Sequence, residues 1–248
     1  METKPTLGAN RTGVQRSPQD TKEMLQGSPA PGVPPGQGDP AALSALRASY
    51  IREAEPVGTV PPPGTAKGML KGGLQMLTGT RAHVLVDKLG ERLAFERTGT
   101  RLYDAMLVKC EAAPADALGP VDLARLRHIR EEEARHFELL ANALETLGAD
   151  PTAQTPCADL TGVQGLGLIQ TITDPRTSVA QCLSALLIAE LTDQAAWDML
   201  AQLARDVGQD DLANQFDAAL AAETEHAETV RSWATRMTLD MARLGGQI

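Results

Sequence analysis

Paired cysteines and long apolar runs are missing from this 248-residue chain, and strand-like alternation is missing beyond residue 80. The three cysteines, Cys110, Cys157 and Cys182, lie far apart with no Cys-x-x-Cys among them, which excludes a cysteine-built zinc or iron centre. They read as ordinary thiols. No apolar run approaches the ~18 residues that a bilayer-spanning helix needs. The N-terminus shows no charged start followed by an apolar stretch, so a cytoplasmic protein is expected. Excess positive charge is also absent: the net charge is -9. Its distribution is uneven, with eight basic and six acidic residues up to position 80, then 15 basic and 26 acidic. An acidic region of that kind repels nucleic-acid phosphates and anionic membranes and attracts cations.

Proline and glycine divide the chain in two. Eleven of 16 prolines and 12 of 22 glycines fall within residues 1–80. Stretches such as Pro29 to Pro35 and Pro61 to Gly64 propagate neither helix nor sheet. Residues 1–62 are therefore expected to be a disordered or extended tail. Residues 63–80 read as a short lead-in, with a glycine-weakened helix over 66–78.

Beyond residue 80 the composition turns to Ala, Leu, Glu and Arg, and an all-α domain is expected over 81–248. Four segments show helical periodicity. The first runs from His83 to Lys109, with Leu89, Leu93, Glu96, Thr100, Tyr103 and Leu107 on one stripe. The second, Val121 to Leu147, starts after Pro120 and stops at Gly148; Leu126, Ile129, Glu133, His136, Phe137, Leu140 and Leu144 line up along it. The third runs from Arg176 to Val207 with Val179, Leu183, Leu186, Glu190, Gln194, Trp197 and Ala201 aligned. The fourth runs from Asp211 to Leu244 through Phe216, Leu220, Glu223, His226, Val230 and Met237. Short links make the first and second, and the third and fourth, antiparallel neighbours. The long link between the second and third can cross the whole bundle, with a helical turn or two within Asp159 to Thr173. Two helix pairs and one long crossover form the ferritin-like variety of four-helix bundle.

Each stripe carries acids or histidines where packing alone calls for Leu or Ala. An ionised carboxylate buried without a partner costs several kcal/mol. Four of them near mid-length make sense if they converge on divalent cations. Glu133-Ala134-Arg135-His136 and Glu223-Thr224-Glu225-His226 are both Glu-x-x-His. Residues i and i+3 share a helix face, so the His can hold one ion while the Glu spans two. Glu96 and Glu190 supply one acid each from the other two helices. The candidate metal ligands are thus Glu96, Glu133, His136, Glu190, Glu223 and His226. Glu132 competes with Glu133, which is preferred because it repeats the spacing of the fourth helix; Glu131 is then solvated, and Glu225 and Glu228 lie outside the ligand set. His83 and His128 read as surface histidines, and Trp197 and Trp233 as packing residues. Carboxylate oxygens with two imidazoles suit iron or manganese.

On these motifs, residues 83–147 and 176–244 resemble the two helical hairpins of the ferritin-like superfamily, which includes bacterioferritin and rubrerythrin. The resemblance implies two iron ions, with manganese as the alternative. It implies Glu96, Glu190, His136 and His226 as terminal ligands and Glu133 and Glu223 as bridges. Tyr103 matches a tyrosine found beside such sites, and would hydrogen-bond a ligand or donate an electron. Asp193, one turn after Glu190, falls where rubrerythrin-like proteins place an additional acid; a surface charge is the plainer reading. Redox chemistry with O2 or peroxide, of ferroxidase or peroxidase type, is the implied function. A hydroxylase, a di-manganese catalase and a non-catalytic metal-binding or interaction bundle are the alternatives. Without its own cysteine-ligated iron centre, a peroxidase needs an external electron donor. With little chain after the fourth helix, a homo-oligomer of dimer size is expected rather than a cage.

Overall fold

The computed structural model describes residues 18–27, 39–62 and 82–245. The chain forms two units, residues 1–56 and 57–248. The first holds two helices, α1 (Pro18–Gly27) and α2 (Pro40–Glu53), where the sequence suggests a disordered or extended tail. Local chemistry accounts for α2. The Asp39 side chain accepts hydrogen bonds from the backbone N–H groups of Ala41 and Ala42, at 2.9 and 3.2 Å. Pro40 fits the first turn, and an Ala- and Leu-rich run follows. None of its residues is buried, so cap and propensity alone sustain it. The lead-in 63–80, with its expected helix over 66–78, lies outside the described residues.

The second unit is built from α3 (Ala82–Ala112), α4 (Leu123–Leu147), α5 (Pro156–Thr173), α6 (Val179–Asp206) and α7 (Asp210–Gly245). No strand occurs among the described residues. Four of these helices are the ones that the stripes mark out, with ends shifted by a few residues. Their termini follow from local side chains. Asp122 caps α4 by accepting from Ala124 N at 2.8 Å, and Ser178 and Gln181 form a reciprocal capping box at the start of α6. Gly148 and Gly208 end α4 and α6 with φ of 83° and 74°. Each is followed by a backbone bond that closes the last turn, Ala149 N to Leu144 O at 2.9 Å and Gln209 N to Ala204 O at 2.8 Å.

Helices α3 and α4 form one hairpin, α6 and α7 the other, and α3 also packs on α6. The crossover differs from the turn or two expected: α5 is a full helix of 18 residues, about 27 Å long, lying against α3 and α6. Its apolar residues misreport its orientation. Leu160, Val163 and Leu166 face outward, while Thr161, Gly165 and Ile172 are buried. Along its first half small residues face inward and large apolar ones outward, so periodicity gives little sign of a helix. Both of its ends are tied to α3. At one end Asp87 accepts from Cys157 N at 3.0 Å; at the other Lys109 donates to the backbone oxygens of Asp174 and Thr177, at 2.7 and 2.9 Å. The chain thereby returns along the length of α3 before α6 begins, which makes α6 antiparallel to α3. Gly90 keeps α5 close, because a Cβ there would stand 2.6 Å from the Thr155 hydroxyl that caps α5.

Replacing Gly208 by Ala forces a side chain into left-handed backbone and lowers stability by about 1–2 kcal/mol. Gly162→Ala, on the exposed face of α5 with open space around it, raises stability by about 0.5–1 kcal/mol. Thermal unfolding of the two variants checks both signs.

Candidate metal centre

Two apolar layers fill the bundle. One contains Tyr103, Met106, Leu126, Ile129, Leu183, Leu186, Val230 and Trp233; the other contains Leu85, Leu89, Leu140, Leu144, Trp197, Leu200 and Phe216. Every stripe passes from one layer to the other at its polar residue. Glu96, Glu133, His136, Glu190, Glu223 and His226 therefore meet in the plane between them. All six are buried, the most exposed being His136 at 8%.

Glu223 is the hub. Its Oε1 lies 2.6 Å from His136 Nδ1 and its Oε2 lies 3.2 Å from His226 Nδ1. His226 Nδ1 also lies 3.5 Å from Glu133 and 3.8 Å from Glu190, while His136 Nδ1 lies 4.0 Å from Glu96. Two overlapping ligand sets result, each with its atoms within 4.8 Å of one another: Glu133, Glu190, Glu223 and His226, and Glu96, His136 and Glu223. A third set adds Asp193 to Glu96, Glu133 and Glu223. Glu96, Glu133 and Glu190 each leave a buried carboxylate oxygen without a hydrogen-bond partner. Orphaned acceptors packed this closely are costly unless a cation lies among them, so the donor set fits metal ions.

The electrostatics agree. Burial, with neighbouring carboxylates second, pushes Glu96, Glu133 and Glu190 well above the usual carboxylate range, and burial does the same to Asp193. Glu223 departs from them. Burial raises its pKa too, but the imidazoles of His136 and His226 outweigh that and hold it at about 2. Burial would lower the pKa of His226, yet Glu223 and its acidic neighbours hold it at about 9.

Sequence reasoning missed four features. Glu132 is neither a ligand nor simply solvated: its carboxylate lies 2.9 Å from Nε2 of His226, the nitrogen facing away from the centre. A carboxylate there fixes the ring and its tautomer. Gly99 is the second, because a Cβ at that position would collide with the Glu133 carboxylate. The third is Arg92, only 2% exposed, which donates to Glu96 Oε1 at 2.9 Å and also to Asp193. Asp193 is itself buried rather than on a solvated face.

The fourth is the Trp197 half of a cross-brace whose tyrosine half, a hydrogen bond from Tyr103 to a candidate ligand, the sequence did suggest. Tyr103 and Trp197 stand seven residues after Glu96 and Glu190 respectively. The Tyr103 hydroxyl donates to Glu190, and Trp197 Nε1 donates to Glu96 at 2.9 Å, so each hairpin steadies the lone acid of the other. Burial pushes the Tyr103 phenol well above its usual range, which keeps it protonated as a donor. Trp197 does pack, against Phe216 and the edge of His136, but it also serves the acid layer. Equal offsets from the two lone Glu residues were the available signal. The two halves differ one turn after those acids, where one has Gly99 and the other Asp193.

A buried acid layer flanked by two antiparallel hairpins and a long crossover defines a class of helical bundle. Residues 86–239 match the ferritin-like domain, and the chain belongs to that family. No curated protein and no solved structure matches it. Among the described residues no helix is long and apolar enough to cross a membrane.

The raised carboxylates and His226 bind protons more tightly in the folded chain than in the unfolded one, so metal-free stability falls as pH rises. For His226 the window lies between its ordinary value of 6.5 and about 9. Glu223 acts oppositely, but only as pH drops from 4.5 towards 2. The melting temperature of metal-stripped protein should therefore decline from pH 6.5 to pH 9. A rise across that range would contradict this account.

Proposed function

We propose that this chain holds two iron ions between its hairpins, with manganese as the alternative, and uses them in redox chemistry with O2 or peroxide. The supporting observation is the convergence of buried carboxylate oxygens and imidazole nitrogens from four helices around Glu223, with oxygens of Glu96, Glu133 and Glu190 left unpaired. Glu190 and His226 would serve one ion, and Glu96 and His136 the other. Glu223 would bridge them, since each of its oxygens faces a different imidazole. Glu133 would complete the bridge, as it belongs both to the set with Glu190 and His226 and to a set with Glu96. The donors are hard oxygens and neutral imidazoles without thiolate, which suits iron or manganese.

When bound, iron supplies the electrons that reduce O2 or peroxide. The chain's own groups prepare the place. Tyr103 and Trp197 hold Glu190 and Glu96 by hydrogen bonds. Glu132 orients His226 from outside the apolar layers, and being partly exposed it connects that ring to solvent. Tyr103, bonded to Glu190, would also be the residue that passes an electron to the centre. The two apolar layers exclude bulk water, which strengthens each charge interaction between them.

Replacing His136 and His226 together should abolish stoichiometric iron binding by elemental analysis; unchanged metal content would sink the assignment. Oxygen uptake on adding Fe(II) should be rapid in the wild type and lost in Glu133→Ala, whereas binding without uptake would point to a structural metal. Gly99→Ala leaves every ligand in the sequence but displaces the Glu133 carboxylate. It should weaken iron binding by about tenfold or more while the helical circular dichroism is preserved.

A further inference from the structure

We propose that the Arg92 guanidinium takes the place of a third cation and so fixes the capacity of the centre at two ions. The proposal rests on the two-ion reading above. The acid layer contains three overlapping ligand sets, and the third joins Glu96, Glu133, Asp193 and Glu223. Arg92 donates to two of those four, Glu96 and Asp193, through the same nitrogen. It is buried, with its guanidinium carbon 4.3 Å from the centre of the Phe95 ring, and its Nε has no partner. Burial alone would lower its pKa, but Asp193 and Glu96 more than offset that and it stays a cation.

Charge balance gives the arrangement its logic. Four ionised Glu residues match two divalent ions, with both histidines neutral when they act as ligands. Asp193 is the fifth acid of the layer, and Arg92 is the cation that balances it. The halves of the bundle support pairing these two. By offset from the lone Glu of each hairpin, Arg92 corresponds to Leu186 and Gly99 to Asp193. The additional base and the additional acid thus each occur once, on opposite hairpins, and they bond to each other. An arginine is suited to the task, because its planar guanidinium stays charged when buried and can reach two acids at once.

The test uses the full chain stripped of metal, with Mn(II) as the probe because it is stable in air, and bound metal per chain measured by equilibrium dialysis and elemental analysis. Wild type should saturate at two ions and Arg92→Met at three. Arg92→Lys keeps a cation in place and should return to two. So should Arg92→Met combined with Asp193→Asn, which removes the surplus acid. Wild type at two with Arg92→Met also at two overturns the proposal alone. Wild type that takes up no Mn(II) overturns the two-ion reading and this proposal with it. Should Arg92→Met lose its helical circular dichroism, Asp193→Asn decides. Without Asp193, Arg92 competes undivided for Glu96, and Mn(II) affinity should fall by about tenfold; unchanged affinity overturns the proposal.

Discussion

Placing five carboxylates in one plane between two apolar layers is the constraint that organises this molecule. Removing even one ionised carboxylate from water costs several kcal/mol unless it is paired, and these five also repel one another. The remainder of the layer answers that cost. Arg92 contributes a fixed positive charge, His136 and His226 stabilise Glu223, and hydroxyl and indole donors each engage one oxygen of Glu190 and of Glu96. Three of the Glu residues and Asp193 still favour the protonated state, pushed there first by burial. A polypeptide arranged this way is incomplete in electrostatic terms without cations.

Convergence of four acids from four helices demands that each helix be fixed in rotation and in height. Rotation comes from the apolar stripes, since Leu89, Leu126, Leu186 and Phe216 are each fully buried on their own helices. Height comes from the ends. Tight glycine stops at Gly148 and Gly208 fix where α4 and α6 finish. Asp87 and Lys109 tie the crossover helix to both ends of α3, and so set where α6 starts. A slip of one turn, about 5.4 Å, would put Glu190 among leucines. The site is thus specified by features far from it.

The four bundle helices and the six converging residues were legible because both depend on spacing, and spacing is written in the sequence. Glu133 could be separated from Glu132 by comparison with Glu223, and the structure buries Glu133 and leaves Glu132 near the surface. Other features depend on what the opposite helix presents, which no single segment records. Arg92 looks like any solvated base until Asp193 is placed opposite it. Gly99 looks like a weak point in a helix until the Glu133 side chain fills the room it leaves. Helix α5 was under-read for a related reason: over its first half Thr161 and Gly165 face inward and Val163 faces outward, so burial and hydropathy diverge there. Helix α2 shows the limit of composition, because a tail rich in proline and glycine still holds a capped alanine-rich stretch.

The difference between Gly99 and Asp193 carries one more consequence. Two hairpins built on nearly the same plan would otherwise offer two equivalent positions. With an acid one turn after Glu190 and none after Glu96, and with the buried Arg92 bonded to Glu96, the surroundings of the two positions are unequal. Under the proposed two-ion occupancy, ions taken up there would differ in affinity, and uptake would pass through a state with one ion. On that reading the side facing Arg92 would be the one filled second, because Glu96 already shares its charge with a guanidinium.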